Sequence, residues 1–201
     1  MPGGGSSEAD LAMDGRHQGR LLYLIGASGA GKDSLLDYAR HRLADHAGVR
    51  FARRCITRPA SSGGEDHIAL SREAFLQRQA QGGFAMAWRS HGLDYGIGTE
   101  ILDWLKQGLC VVVNGSRDYL PVAAAHFAAI EPVLLQVETD VLRSRLRARG
   151  RESVDQVDRR LALGAQRDAA LCHPRLVRID NNGALEAAGE RLVALIRGEG
   201  P

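Results

Sequence analysis

Apolar and polar positions follow two periods along this chain of 201 residues. Residues 21–25, Leu-Leu-Tyr-Leu-Ile, form a continuous apolar run, as a strand covered on both faces requires. A Gly-rich stretch follows. Leu35, Ala39 and Leu43 then recur at helical spacing, with Leu36 beside them. Short strands are predicted at 53–57, 68–70 and 84–88. Ser71 provides an N-cap for a helix near 72–81. Ile101, Leu102 and Leu105 mark a helix that stops at Gly108. Strongly apolar strands are predicted at 109–113 and 132–137. Thr139 or Asp140 can cap a helix carrying Val141, Leu142 and Leu146. A last strand at 176–179 precedes a helix bearing Leu185, Ala188, Leu192, Leu195 and Ile196.

Strands alternating with helices predict an α/β fold, a parallel sheet flanked by helices. Residues 1–19 lack apolar periodicity and are rich in Gly and Ser, which predicts a disordered leader. A single domain is expected over 20–198. Within it, about 53–97 breaks the alternation with short strands and Gly-rich turns, and reads as an insertion. The turn-like residues 91–96 belong to that region.

Composition narrows the function classes. Apolar residues are 44% and charged residues 25%, ordinary for a soluble domain. No apolar run is long enough to span a bilayer, and the N-terminus lacks a secretory pattern. Three distant cysteines, without a CxxC pair, suggest neither a disulfide framework nor a zinc site. A cytoplasmic protein without a membrane partner is expected. A net charge of +2 argues against a nucleic-acid binder. Of 26 basic residues only Lys32 and Lys106 are lysine.

Lys32 stands in the one motif that needs a lysine. Gly26-Ala27-Ser28-Gly29-Ala30-Gly31-Lys32 lies between the buried strand and the amphipathic helix. Small residues there let the backbone wrap a phosphate, N–H groups inward, at a helix N-terminus. Lys32 adds a compact point charge. The next residue, usually a magnesium-ligating Ser or Thr, is Asp33, followed by Ser34. Asp33 is either a helix-start carboxylate or a Mg²⁺ ligand, and Ser34 can share the hydroxyl role. The strand at 109–113 runs into Asn114, not into an acid, which disfavours a motor-type ATPase.

The acceptor side is expected beyond the second strand, where Arg53, Arg54 and Arg58 cluster; the alternative is a solvated basic surface. His67 is a candidate contact, against a structural role. Around residues 147–160 the chain is dense in arginine, and a short helical lid is expected there. Arginines on a mobile lid can neutralise charge on a transferring phosphoryl group, whereas an exposed helix face is the plainer account.

The spacing of residues 26–32, Thr57-Arg58-Pro59, Tyr95-Gly96, residues 145–149 and Arg160-Leu161 is similar to guanylate-kinase-like P-loop kinases. Within that group, Gly31-Lys32-Asp33-Ser34-Leu35, His67-Ile68-Ala69-Leu70-Ser71, Asn114-Gly115-Ser116-Arg117 and Asn181-Asn182-Gly183 resemble the ribose 1,5-bisphosphate phosphokinases of phosphonate breakdown. The resemblance implies a P-loop NTPase fold and transfer of phosphate from ATP, with Mg²⁺, to a small sugar phosphate. It implies ATP at residues 26–34, with metal near Asp33 and Ser34. The acceptor would sit on Arg54, Arg58, His67 and Tyr95, and Lys32, Arg149 and Arg160 would stabilise the transferring group. Met86 and Ile97 fall where guanylate kinases read the base with polar side chains, so purine reading is expected to be lost. The alternatives are a guanylate or other nucleoside monophosphate kinase, and a catalytically silent interaction domain.

Overall fold

The computed structural model describes residues 19–59, 65–148 and 154–199. Most of the predicted leader, residues 1–18, lies outside the described residues.

Five strands form a parallel sheet in the order β2-β7-β1-β8-β9. They are β1 (Leu21–Gly26), β2 (Val49–Phe51), β7 (Cys110–Asn114), β8 (Ile130–Gln136) and β9 (Val177–Asp180). β1 lies at the centre, paired with β7 and β8, which explains its unbroken apolar run. Its side chains alternate between two cores. Leu22 and Leu24 pack with α1 (Lys32–Arg42), α5 (Thr139–Ala148) and α7 (Leu185–Arg197). Leu21, Tyr23 and Ile25 pack toward α3 (Glu100–Lys106), α4 (Leu120–His126) and a second sheet. Each such side chain, fully buried, contributes roughly 1.5–3 kcal/mol.

The second sheet has four strands in the order β4-β3-β6-β5. They are β3 (Arg54–Ile56), β4 (Ile68–Ala69), β5 (Phe84–Ser90) and β6 (Leu93–Gly98). β6 pairs antiparallel with both β3 and β5, and α2 (Arg72–Ala80) packs beside β5. Ser71 Oγ accepts from the Ala74 N–H at 3.1 Å, the N-cap expected for α2.

Several elements differ from the sequence pattern. β2 is three residues long, too short to show a period. The stretch 91–96 is not one turn. Only His91 and Gly92 take positive φ, 49° and 78°, as a two-residue hairpin needs, and β6 starts at Leu93. α4 was not expected, because its Ala-rich sequence shows few large apolar positions. The arginine-rich segment at 147–160 runs into a 16-residue helix, α6 (Val154–Ala169), packed on α5. α5 starts at Thr139 itself, so Thr139 is helical rather than a preceding cap.

All five parallel strands end on one side of their sheet. Residues 26–32 follow β1 there, Arg53 and Arg54 follow β2, Asn114–Arg117 closes β7, and Asn181 follows β9. Open parallel sheets bind ligands at this edge.

Candidate active site

Gly31 is the N-cap of α1 at φ 92°, a left-handed conformation that a side chain resists. A Cβ there would also lie 2.6 Å from Asn181 Nδ2. Asn181 holds the loop from below: its Nδ2 donates to Ala30 O at 2.6 Å, and its backbone N–H donates to Gln136 O. Arg145 of α5 donates to Asn181 O at 2.9 Å. Ala30 and Ala27 turn inward and join the core, so they serve the loop through its backbone.

Lys32 folds back over the loop. Its Nζ donates to Gly26 O at 3.0 Å and Ala27 O at 3.2 Å. Burial lowers its pKa to about 8, and nearby Asp33 opposes that shift. An ammonium held on carbonyl oxygens in a Gly-rich loop is placed to exchange them for phosphate oxygens.

Gly26, Ser28, Gly29, Gly31, Lys32, Asp33 and Ser34 line one cavity of about 230 Å³ together with Arg54, Arg58 and Tyr95. Five basic residues line it against three acidic ones. Trp88, paired with Tyr95 across β5 and β6, stacks on it at 5.5 Å and on Tyr119 at 5.4 Å. Trp88 and Tyr95 form one wall of the cavity, with Tyr119 behind them.

The expected acceptor residues behave differently from one another. The Arg54 guanidinium is engaged: Nε donates to Glu65 Oε2 at 2.8 Å, Nη2 donates to Oε1, and Cζ lies 5.1 Å over the Tyr95 ring. Arg58 is less occupied, and its Nε is buried without a partner. His67 does not line the cavity. It is 7% exposed, with Nε2 3.1 Å from Arg58 O and Nδ1 3.0 Å from Glu65 O. It packs within the insertion, against the Arg58 and Glu65 backbone and with Nδ1 also 3.4 Å from Arg58 Nη2, away from the cavity lining. Arg149 lies outside the described residues. Arg160 is on α6, and its side chain lies outside them too.

Met86 and Ile97 stand opposite each other across β5 and β6, 1% and 0% exposed. They pack with Tyr23, Val111 and Val113 in the core and do not line the cavity. The position expected to read a base is here part of the hydrophobic core.

Five contributors were not singled out as site residues from the sequence. Asn114 Nδ2 donates to Asp33 Oδ1 and Glu65 Oε2, each at 3.1 Å. Arg117 lines the cavity and donates to Asp168 Oδ1 at 2.6 Å and Gly164 O at 3.1 Å, tying α6 to the end of β7. Arg167, 3.4 Å from Asp118, makes a second tie. Gly115 and Tyr23 set this turn: a Cβ on Gly115 would lie 2.2 Å from the Tyr23 ring, whose hydroxyl accepts from Ser116 N–H at 2.9 Å. The sequence signal available was the Asn-Gly-Ser-Arg run directly after an apolar strand.

Three buried side-chain atoms of the described residues lack a partner: Arg58 Nε, Asn114 Oδ1 and Arg145 Nη1. All belong to side chains that border the phosphate loop or the residues facing it. A buried polar group left unpaired is costly, so these atoms fit a polar ligand between them. The residues present thus suit a nucleotide with a divalent cation, polar along the loop and carboxylate-bearing at Asp33.

No family model matches the chain. A protein of Thiobacillus denitrificans named ribose 1,5-bisphosphate phosphokinase PhnN is 51% identical over 181 residues, covering 89% of this chain and 93% of that one. The protein of the same name from Chromobacterium violaceum is 52% identical over 180 residues, covering 90% and 95%. Among solved structures, guanylate kinase from Anaplasma phagocytophilum superimposes with a TM-score of 0.63 at 17% identity, over 91% of this chain and 87% of that one. That likeness is one of fold, consistent with the parallel sheet and phosphate loop. Identity of this level over nine-tenths of both chains places the protein in a family: it belongs to the ribose 1,5-bisphosphate phosphokinases.

Proposed function

We propose that this protein is an ATP-dependent kinase that phosphorylates ribose 1,5-bisphosphate, forming 5-phosphoribosyl 1-diphosphate and ADP. The observation that carries the reading is the cavity itself. A phosphate loop with Lys32 faces Arg58 and Tyr95 across one crevice, while Met86 and Ile97 are buried in the core away from it. Phosphates have partners on both sides; Met86 and Ile97 offer a purine edge no polar group.

Transfer forms a bond from an acceptor phosphate oxygen to the γ-phosphorus and breaks the bond to the β-phosphate bridging oxygen, so ADP leaves. The attacking oxygen is already anionic, and no general base is required. Residues 26–34 bind and orient the donor phosphates, and Lys32 neutralises charge on them. Arg58 and Tyr95 hold the acceptor. Arg54 supports Tyr95 while Glu65 occupies its guanidinium. Asp33 and Ser34 would hold magnesium, which supplies further charge neutralisation when bound. Arg149 and Arg160 remain assigned to the lid, as contributors to charge stabilisation.

A nucleotide base fits the outer side of the loop. There a hollow is bounded by Gly29, Ser34, Asn181 and the Arg145 guanidinium.

The test is a coupled ADP-release assay with ribose 1,5-bisphosphate, GMP, AMP and other sugar phosphates side by side. The highest kcat/KM is expected with ribose 1,5-bisphosphate. A higher value with GMP would replace this reading by a nucleoside monophosphate kinase. ATP binding without turnover of any acceptor would replace it by an interaction domain.

A further inference from the structure

The residue after the phosphate-loop lysine is a carboxylate here, and the strand that would carry a second acid ends in an amide. P-loop enzymes hold Mg²⁺ between a loop hydroxyl and an acid on a neighbouring strand. β7 ends in Asn114. That amide is the link between two carboxylates from distant parts of the chain, Asp33 in the first turn of α1 and Glu65 in the insertion. Asn114 is 4% exposed, and its Oδ1 is buried with no partner. The NH₂ faces the two carboxylates while the oxygen is left unpaired; turned over, the amide would put its oxygen beside both carboxylates, an arrangement that a cation would complete.

We propose that Glu65 is a positioning residue for the divalent cation that accompanies the nucleotide, completing a site with Asp33 and the carbonyl oxygen of Asn114. Without a cation, Asn114 turns its NH₂ toward the two carboxylates and satisfies them. With a cation present, the nearly symmetric amide can turn over and present oxygen in place of nitrogen, with little change in shape. The donor set suits Mg²⁺. Among the described residues no group of three or more His, Cys, Asp or Glu is placed to hold a metal. Two carboxylates and an amide instead suit an ion that keeps several waters and takes its other ligands from phosphates.

Glu65 has a second task, the two-pronged ion pair with Arg54. If that were its whole role, Glu65 would affect the acceptor side alone. The inference rests on the kinase reading for the nucleotide and does not depend on which acceptor is used.

The experiment uses the full chain with ADP and no acceptor, so that no turnover occurs. Mn²⁺ serves as the probe, and its free concentration is followed by electron paramagnetic resonance. Removing a group that orients a metal's ligands typically costs ~10–100-fold in affinity, and Glu65→Gln is expected to weaken Mn²⁺ binding to the ADP complex by at least ~10-fold. Asn114→Asp, which restores an acid at the end of β7, is expected to tighten it. ADP affinity measured with a chelator present separates a loss of the nucleotide from a loss of the ion. Wild-type Mn²⁺ affinity in Glu65→Gln overturns the proposal and leaves Glu65 as the partner of Arg54. Should Glu65→Gln fail to fold, Asn114→Asp decides, and unchanged or weaker Mn²⁺ binding there overturns the proposal. Absence of ADP binding by the wild-type protein would overturn the kinase reading and this proposal together.

Discussion

The two sides of the crevice are held by different forces. The donor side stands on the five-stranded sheet, whose central strand is buried on both faces and whose loop is braced by Asn181. The acceptor side stands on the four-stranded sheet, and polar contacts do much of its fastening. Arg54 pairs with Glu65, Arg53 with Asp66, and Thr57 Oγ1 accepts from Asp94 N–H at 2.8 Å. Its apolar anchoring is local, through Phe75 stacked on Phe84 at 4.6 Å and through Met86 and Ile97 in the shared core. A loop that must present backbone N–H groups to phosphate gains from rigidity, because preorganised donors need no reorganisation during transfer. A surface that grips an acceptor gains from ion pairs that a ligand can exchange. On the proposed reading, phosphate binding and the hold on the acceptor sit on two scaffolds of different make-up.

The strongest way to break that contrast is Lys32→Ala. The hydrogen bonds of its ammonium go to loop carbonyls, so the fold should survive, as a melting curve would show. Turnover should fall by at least ~10²-fold, about 2.7 kcal/mol of transition-state stabilisation. Activity near wild type would remove the donor side from the mechanism.

Arg58→Ala addresses the other scaffold. A hydrogen bond to a charged partner contributes about 1.5–3 kcal/mol, so kcat/KM for the sugar bisphosphate should drop ~10–100-fold. KM for ATP should stay unchanged. Steady-state kinetics with each substrate varied in turn would separate the two, and a loss confined to ATP would reverse the assignment of sides.

Asn181→Ala tests whether the bracing of the loop matters to the donor alone. It leaves the buried Ala30 carbonyl without its donor, and a loss of about 1–3 kcal/mol in stability is expected. KM for ATP should rise while KM for the acceptor holds. A parallel rise in both would mean that the scaffolds are not separable.

The smallest effect is on pH dependence. Free Lys32 loses its proton as pH rises through about 8, because burial disfavours its charge. Bound phosphate favours the charged form, so the complex holds more protons than the free protein above that pH. ATP affinity should therefore decline as pH rises above 8, by no more than ~10-fold per unit, and Lys32→Ala should abolish the trend. The ligand-free fold should meanwhile gain stability from this group between about 8 and 10.5, where the unfolded chain binds the extra proton. Calorimetric titration of ATP across this range is the measurement.

Much of this was legible from residue order alone. The strand, loop and helix at 21–42 share one continuous segment, so period, glycine spacing and the lysine can be read together. The N-cap at Ser71 was equally local. By contrast, β6 was hidden because Gly96, Gly98 and the polar Asp94 mask its alternation, and its identity as a strand depends on pairing with both β3 and β5. α6 was expected only as a short helical lid; at 16 residues it is longer, and its far end meets partners elsewhere, Asp168 taking Arg117 and Arg167 reaching Asp118.

Sequence by itself determined what each segment is able to do: a backbone that can cradle phosphate, arginines that can meet anions, and an apolar pair where a base would be read. Tertiary structure alone decided which of these meet. His67 and Arg58 are nine positions apart, and only the packing shows that the histidine packs against the backbone while the arginine faces the crevice. Asp33, Glu65 and Asn114 are separated by tens of residues, and no period or motif relates them. Local patterns report on the neighbours of a residue along the chain. The partners that complete a polar site are set by where the sheet edge brings distant loops, and burial then forces every polar atom there to find one.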